Sequence, residues 1–555
     1  MIQRLGGICA LLSLLNMAGV EAVAQDATPS PATAQISAKE FAELKAELQA
    51  QQKQIEMLRL AVRDQEKLLE RYSQSASSAQ PAAKPDVYSL PQAAKLGEIA
   101  STTPMIPVAT AAPALSQGAG GEKTAASPLF FNIGTATFTP LGFIDVTSVF
   151  RSTNTGAGIG SGFGSIPYSN GTPGQTTENR LSLQNSRLGL RVDSKVLGGD
   201  ALGYLETDFL GNAPANLLVT SNSNTLRMRL FWFDYHKDKF EFLGGQTWSL
   251  LTPNRKGLSA LPSDLFYSQN IDTNYQAGLS WTRAPEFRFL YHANDSVTAA
   301  VALENPEQYT GTAVTFAAAL PAGFAGQFST GASNANSPNL HPDIIGKVAF
   351  DGKTDGKTAH LEFGGVFRTF QAYDSATSHR SSSTGGGGEV NGNVELVKGF
   401  RLVGTSFFGS GVGRYINGLV PDLVTKADGT ISTVDTASAI GGFELSRKPA
   451  DNPKNMETLF YGYYGGVYVR NNFAADSKGK LYGYGFPGSS SAANRAIQEI
   501  TLGFTQTLWK NPAYGDLKFM TQYSYLTRDP WSVAAGTPTN ARAHMVFVNL
   551  RYDLP

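Results

Sequence analysis

The chain has 555 residues, and its 45 Lys and Arg are balanced by 45 Asp and Glu, so the formal net charge is zero. That balance excludes a nucleic-acid partner, which needs a basic surface, and the length exceeds one ordinary soluble domain. Glycine is abundant at 58 residues and charged residues make up only 16%. Beyond the N-terminus no apolar run approaches the roughly 20 residues of a membrane helix, so the chain is either soluble or crosses a membrane as a closed barrel of strands.

Residues 1–24 carry Arg4, the apolar run Ile8 to Leu15 and the small-x-small site Ala22-Val23-Ala24, the pattern of a cleaved signal peptide. The one cysteine, Cys9, lies inside it, so the exported chain has to be stable without disulfides. A polar lead-in spans 25–36. Ser37 and Glu40 then form a capping box, and a heptad register runs over 37–72. Phe41, Leu48, Ile55, Val62 and Leu69 take a; Leu44, Gln51, Leu58, Gln65 and Tyr72 take d. The narrow apolar stripe predicts an α-helical coiled coil, roughly 50 Å long, that associates with copies of itself. A single amphipathic helix packed on its own domain is the plainer alternative. Residues 73–130 are rich in Ala, Ser and Pro and predict an extended linker.

From 131 to 555 the pattern is of strands and connections only. Ser186 to Phe209 shows the unit. Leu188, Leu190 and Val192 alternate with Arg187, Arg191 and Asp193; a Leu-Gly-Gly-Asp turn follows; Leu205 and Phe209 then alternate with Glu206 and Asp208. Period 2 means a strand with unlike faces. About sixteen such antiparallel strands are predicted, among them Leu141–Arg151, Phe240–Trp248, Gln276–His292, Glu389–Val397 and Arg542–Leu554. Their connections alternate in length. Lys237–Lys239 and Lys398–Gly399 are short; Ser249–Tyr275, Asn305–Asp343 and Gln371–Gly388 are long. An even number of strands, with short turns at one end and long loops at the other, describes an all-β transmembrane barrel of the outer-membrane type. Both chain termini of the barrel then face the periplasm, and so does the coiled coil. Trp509, Tyr514, Trp531 and Tyr552 suit interface belts. Gly385 to Gly388 is read as a flexible loop tip.

Several segments together resemble the trimeric outer-membrane porins of the DcaP-like group and, more distantly, the phosphate-selective porins. They are Ser186-Arg187-Leu188-Gly189-Leu190, Glu206 to Phe209, Gly245-Gln246-Thr247-Trp248, Arg283-Ala284-Pro285-Glu286-Phe287-Arg288 and Gly411-Val412-Gly413-Arg414-Tyr415. With the heptads and linker ahead of them, the match covers most of the exported chain. The terminus departs from the pattern: many such barrels end in Phe, whereas this one ends Tyr552-Asp553-Leu554-Pro555. The resemblance implies a homotrimer of water-filled barrels in the outer membrane of a Gram-negative-type cell, passing small solutes, dicarboxylates in some members.

A passive pore requires a lumen, a constriction and charges that select, and no catalytic chemistry. The connection after the fifth strand, with Arg255, Lys256, Asp264 and Asp272, is the candidate constriction loop; an ordinary surface loop is the alternative. Candidate pore-lining residues are Arg187, Arg191, Glu206, Asp208, Arg227, Arg229, Glu362, Arg368, Arg414, Lys518 and Arg551. Grouped guanidinia suit carboxylate or phosphate, since each holds two oxygens at once, but pairing with wall acids such as Glu206, Asp208, Glu362 or Glu499 would cancel them. A mild anion preference is therefore predicted. No zinc spacing or G-x-S-x-G turn is present, so the chain reads as a non-enzyme without cofactor. Its predicted partners are itself, outer-membrane lipids and small polar or anionic solutes. A second reading makes the coiled coil a tether to the cell-wall layer, with the barrel as its membrane anchor.

Overall fold

The alternation that marks each strand also dictates closure, because a sheet apolar on one face and charged on the other must separate lipid from interior. The computed structural model describes residues 128–213, 222–266, 269–329, 339–416, 419–447 and 456–555; the predicted signal peptide, coiled coil and nearly all of the linker lie outside them. Sixteen antiparallel barrel strands are formed. They are β1 (Ala136–Arg151), β2 (Glu178–Ser182 continuing as Arg187–Val196), β3 (Gly199–Asp208), β4 (Arg227–Lys237), β5 (Phe240–Trp248), β6 (Arg283–Asn294), β7 (Val297–Glu304) and β8 (Asp343–Thr354). The second half comprises β9 (Lys357–Asp374), β10 (His379–Val397), β11 (Phe400–Ser410), β12 (Asp435–Arg447), β13 (Thr458–Val469), β14 (Asn494–Asn511), β15 (Gly515–Pro530) and β16 (Ala541–Asp553). Each strand pairs with the next, and β16 closes on β1 in the register Phe143↔Asp553 to Arg151↔Met545. Closure leaves no open edge, the condition for a sheet in lipid.

The faces follow the period-2 code. On β16, Val546, Val548 and Leu550 are exposed while Met545, Phe547, Asn549 and Arg551 are buried. On β4 and β6 the outward Phe231, Phe233, Phe287 and Phe289 are each more than half exposed, an apolar surface that water would not tolerate at this extent. Inward positions hold ion pairs instead: Arg551 on Asp145, Lys518 on Asp553, Arg368 on Asp343.

Short turns at 197–198, 238–239, 295–296, 355–356 and 398–399 lie at the end that also holds the start of β1 and the end of β16; this is the turn end. The connections 152–177, 209–226, 249–282, 305–342, 411–434 and 470–493 lie at the opposite, loop end.

Three expectations are corrected. The sixth strand starts at Arg283 rather than Gln276, because Gln276 to Thr282 belong to the returning limb of the 249–282 loop. The connection predicted over 371–388 is a turn of 375–378 between long strands, and Gly385 to Gly388 lie inside β10, paired with β9 from Gly365 to Arg368. Glycine is needed there for close approach: a Cβ on Gly387 would stand 2.7 Å from the Phe408 carbonyl oxygen. Trp531 is not a belt residue. Its Nε1 donates to the Val469 carbonyl at 3.0 Å, which ties it to the top of β13. Trp509 and Tyr514 are exposed at the turn end, as a belt requires.

Candidate functional site

The inner wall acquires its chemistry from the inward phase of each strand and from loops folded onto it. At the loop end of β2 to β6, Glu206 and Asp208 share the inward phase of β3. A β-bulge in the β3–β4 pairing turns both Arg229 and Leu230 inward, where they are 3% and 0% exposed. Without that extra residue Arg229 would face lipid. It donates Nη1 to Asp208 at 2.8 Å and also contacts Glu206, which Arg187 reaches at 3.3 Å; Arg227 holds Asp208 at 2.7 Å. Five residues singled out in the sequence thus form one network.

Arg283, the first residue of β6, joins it. Its electrostatic neighbours are Arg229, Arg227, Asp208 and Tyr275. The Trp248 indole carries two guanidinia, Arg283 at 5.2 Å and Arg229 at 5.6 Å from the ring centroid. Four arginines therefore meet two carboxylates, leaving an excess of positive charge. In the sequence Arg283 stands out only as part of the Arg283-to-Arg288 motif. The signal that could have singled it out is its place directly after the crossing loop, aligned with Trp248 in the register.

The 249–282 loop lies inside the barrel and spans to the opposite wall. Arg255 binds Glu444 of β12 at 2.8 and 2.7 Å. The Asn254 N–H donates to Glu362 at 3.2 Å and the Gly257 N–H to Asp351 at 2.9 Å. Further on, the Gln269 N–H donates to the Tyr463 hydroxyl and the Ala277 N–H to Glu499. Gly278 has φ +99°, and a Cβ there would stand 2.6 Å from the Ala439 carbonyl oxygen, so loop and wall backbones touch. Leu265, Phe266 and Leu279 of the loop pack with the inward Tyr204, Trp232, Tyr461 and Tyr463. Such packing distinguishes this loop from an ordinary surface excursion.

Among the loop candidates, Asp272 is buried and accepts the Ser161 and Asn274 N–H groups at 3.1 and 2.8 Å. Lys256 is exposed and Asp264 half-buried; burial pushes the Asp264 carboxyl up to about 6, against the opposing pull of Lys256.

Glu362 anchors this loop rather than pairing with an arginine. Lys347 binds it at 2.8 Å and Glu389 at 3.0 Å, and the His360 Nε2 lies 3.1 Å away. Arg368 bonds Asp343, Asp422 and the Gly411 carbonyl, so it ties the 411–434 loop to the wall. Arg414 sits in a buried turn of that loop, its Nη1 donating to the Asn305 carbonyl at 2.8 Å. Arg191 pairs with Asp193 towards the turn end, apart from the other candidates on β2 to β4. Glu444, Asp343, Asp422 and Lys347 were not singled out beforehand, since each acts through a residue distant in sequence.

Neither protein-family models nor curated proteins give a match to the chain. Among solved structures it is similar to the outer-membrane channel DcaP of Acinetobacter baumannii, with 15% identity, 76% of this chain and 97% of that chain covered, and a TM-score of 0.55. It is also similar to OprB of Pseudomonas putida at high pH, with 12% identity, 75% and 94% covered, and a TM-score of 0.42, below the level at which two folds are equated. The first likeness bears out the expected fold, a closed antiparallel β-barrel.

Proposed function

We propose that this protein is an outer-membrane porin, a passive channel for small hydrophilic solutes with a mild preference for anions, dicarboxylates among them. The observation that carries this reading is the barrel wall itself, apolar outside and ion-paired inside, with the 249–282 loop folded across its interior. A loop held in this way supplies a constriction, and charges near a constriction select by sign. The excess of guanidinia around Glu206 and Asp208 supports the anion preference. Association as a homotrimer belongs to the same proposal.

Purified protein in a planar bilayer tests it. Stepwise conductance in groups of three, with a reversal potential displaced towards that of chloride in a KCl gradient, is the expected result. A membrane that stays silent, or a clear cation preference, counts against it.

A further inference from the structure

Most inward-turned cations of this barrel are cancelled where they stand. Arg187, Arg229, Arg255, Arg288, Arg368 and Arg551 each contact a carboxylate. Among the described residues Arg528 pairs with no acid but spends its donors on the Ile166 and Ser491 carbonyls and on Asn494 Oδ1. Arg283 differs from both cases. Among the described residues it forms no ion pair, and its Nη1 is buried without a hydrogen-bond partner. What holds it is the face of Trp248, itself 1% exposed. Arg229 and Arg227 repel it, against the attraction of Asp208.

A guanidinium cannot shed its proton to escape such a site, and a ring face compensates charge without supplying a counter-ion. The result is a positive charge without an ion pair at the loop end of β6, beside the Arg229–Asp208 network and only partly exposed. Charge at a mouth with low-dielectric walls raises the local concentration of the opposite ion.

We propose that Arg283 is the specificity-determining residue for anions, with Trp248 as its positioning residue. This rests on the reading of the barrel as a channel. The paired arginines shape the wall, whereas Arg283 sets the sign of the potential that a solute meets.

Reversal potentials in a KCl gradient would be recorded for the wild type, Arg283→Gln, Arg283→Lys and Arg380→Gln. Arg380 is an exposed arginine beside the loop-end turn of the β9–β10 hairpin, in register with Tyr373, so its variant removes one charge from the same end without touching the Trp248 ring. Arg283→Gln is expected to lower the chloride-to-potassium permeability ratio by about two- to threefold, the effect of about half a kT of potential acting oppositely on the two ions. Arg283→Lys and Arg380→Gln are expected to keep the wild-type ratio. If Arg283→Gln fails to give the heat-resistant migration of a folded barrel, Arg283→Met, which keeps the stem on Trp248, replaces it. An unchanged ratio in the neutral variant overturns the assignment and leaves the channel reading standing. An equal loss in Arg380→Gln overturns it as well. A wild type that conducts without anion preference overturns both the assignment and the selectivity part of the proposed function.

Discussion

Arg255 and Glu444 meet across the barrel interior, the arginine on the crossing loop giving Nη1 to Oε2 at 2.8 Å and Nη2 to Oε1 at 2.7 Å. Both side chains are almost wholly buried, and the Tyr463 hydroxyl donates to the same carboxylate at 2.6 Å. A bidentate contact of this kind fixes orientation as well as distance. Removing one partner strands the other charge, a loss of about 3–5 kcal/mol. Glu444→Gln is therefore expected to loosen the loop without unfolding the barrel. Single-channel current noise should rise, and protease should cut near residue 255 while the heat-resistant barrel band persists. Quiet traces from the variant would mean that the loop is held elsewhere.

His360 offers a second anchor. Its Nδ1 lies 3.0 Å from Asp351 Oδ1 and its Nε2 lies 3.1 Å from Glu362 Oε2. A neutral ring has one N–H, so only the imidazolium donates to both. These two acids are the ones that receive the Gly257 and Asn254 N–H groups. His360→Phe is expected to speed amide exchange at 254–257 by roughly tenfold, the equivalent of about 1.4 kcal/mol. His360→Gln, which can still donate to one acid, should fall between. Exchange identical to wild type in both would remove His360 from the anchor.

Asp264 should make the channel respond to mild acid. Burial raises its carboxyl to about 6, so the folded loop favours the neutral form. The stabilisation this brings is complete below the unfolded carboxylate range and is lost as pH rises through about 6. Over the same interval the loop gains a negative charge. The chloride preference is therefore expected to fall between pH 5 and 7. Asp264→Asn should hold the low-pH value throughout, and a wild-type ratio flat across this range would argue against a lumen role for the carboxylate.

The outward wall makes a prediction of its own. Val548 faces outward near the middle of β16, between buried Phe547 and Asn549. Val548→Arg would place a charge on the lipid face, at a cost of about 2–4 kcal/mol at mid-depth. Folding titrations in urea with lipid vesicles should show that loss. A variant as stable as wild type would place this face against something other than lipid.

The sequence by itself determined the strands and their facing. Alternation is a local property, so Phe240–Trp248 was legible to the residue, and the inward acids of β3 could be picked out from spacing alone. The sixteen-strand count and the long and short ends followed from the same signal. Gly385 to Gly388 misled because glycine serves both loops and close-packed strands, and only the neighbour at Phe408 says which.

What the tertiary structure decided is which charges survive. Arg255 and Glu444 are 189 positions apart, and nothing in the local pattern of either names the other. Arg229 turns inward only because the β3–β4 pairing slips by one residue. Arg283 meets Trp248, from the far side of a 34-residue excursion, only because the β5–β6 register aligns them. Periodicity is written in neighbours along the chain. Charge compensation depends on neighbours across the barrel, and those exist only once the wall has closed.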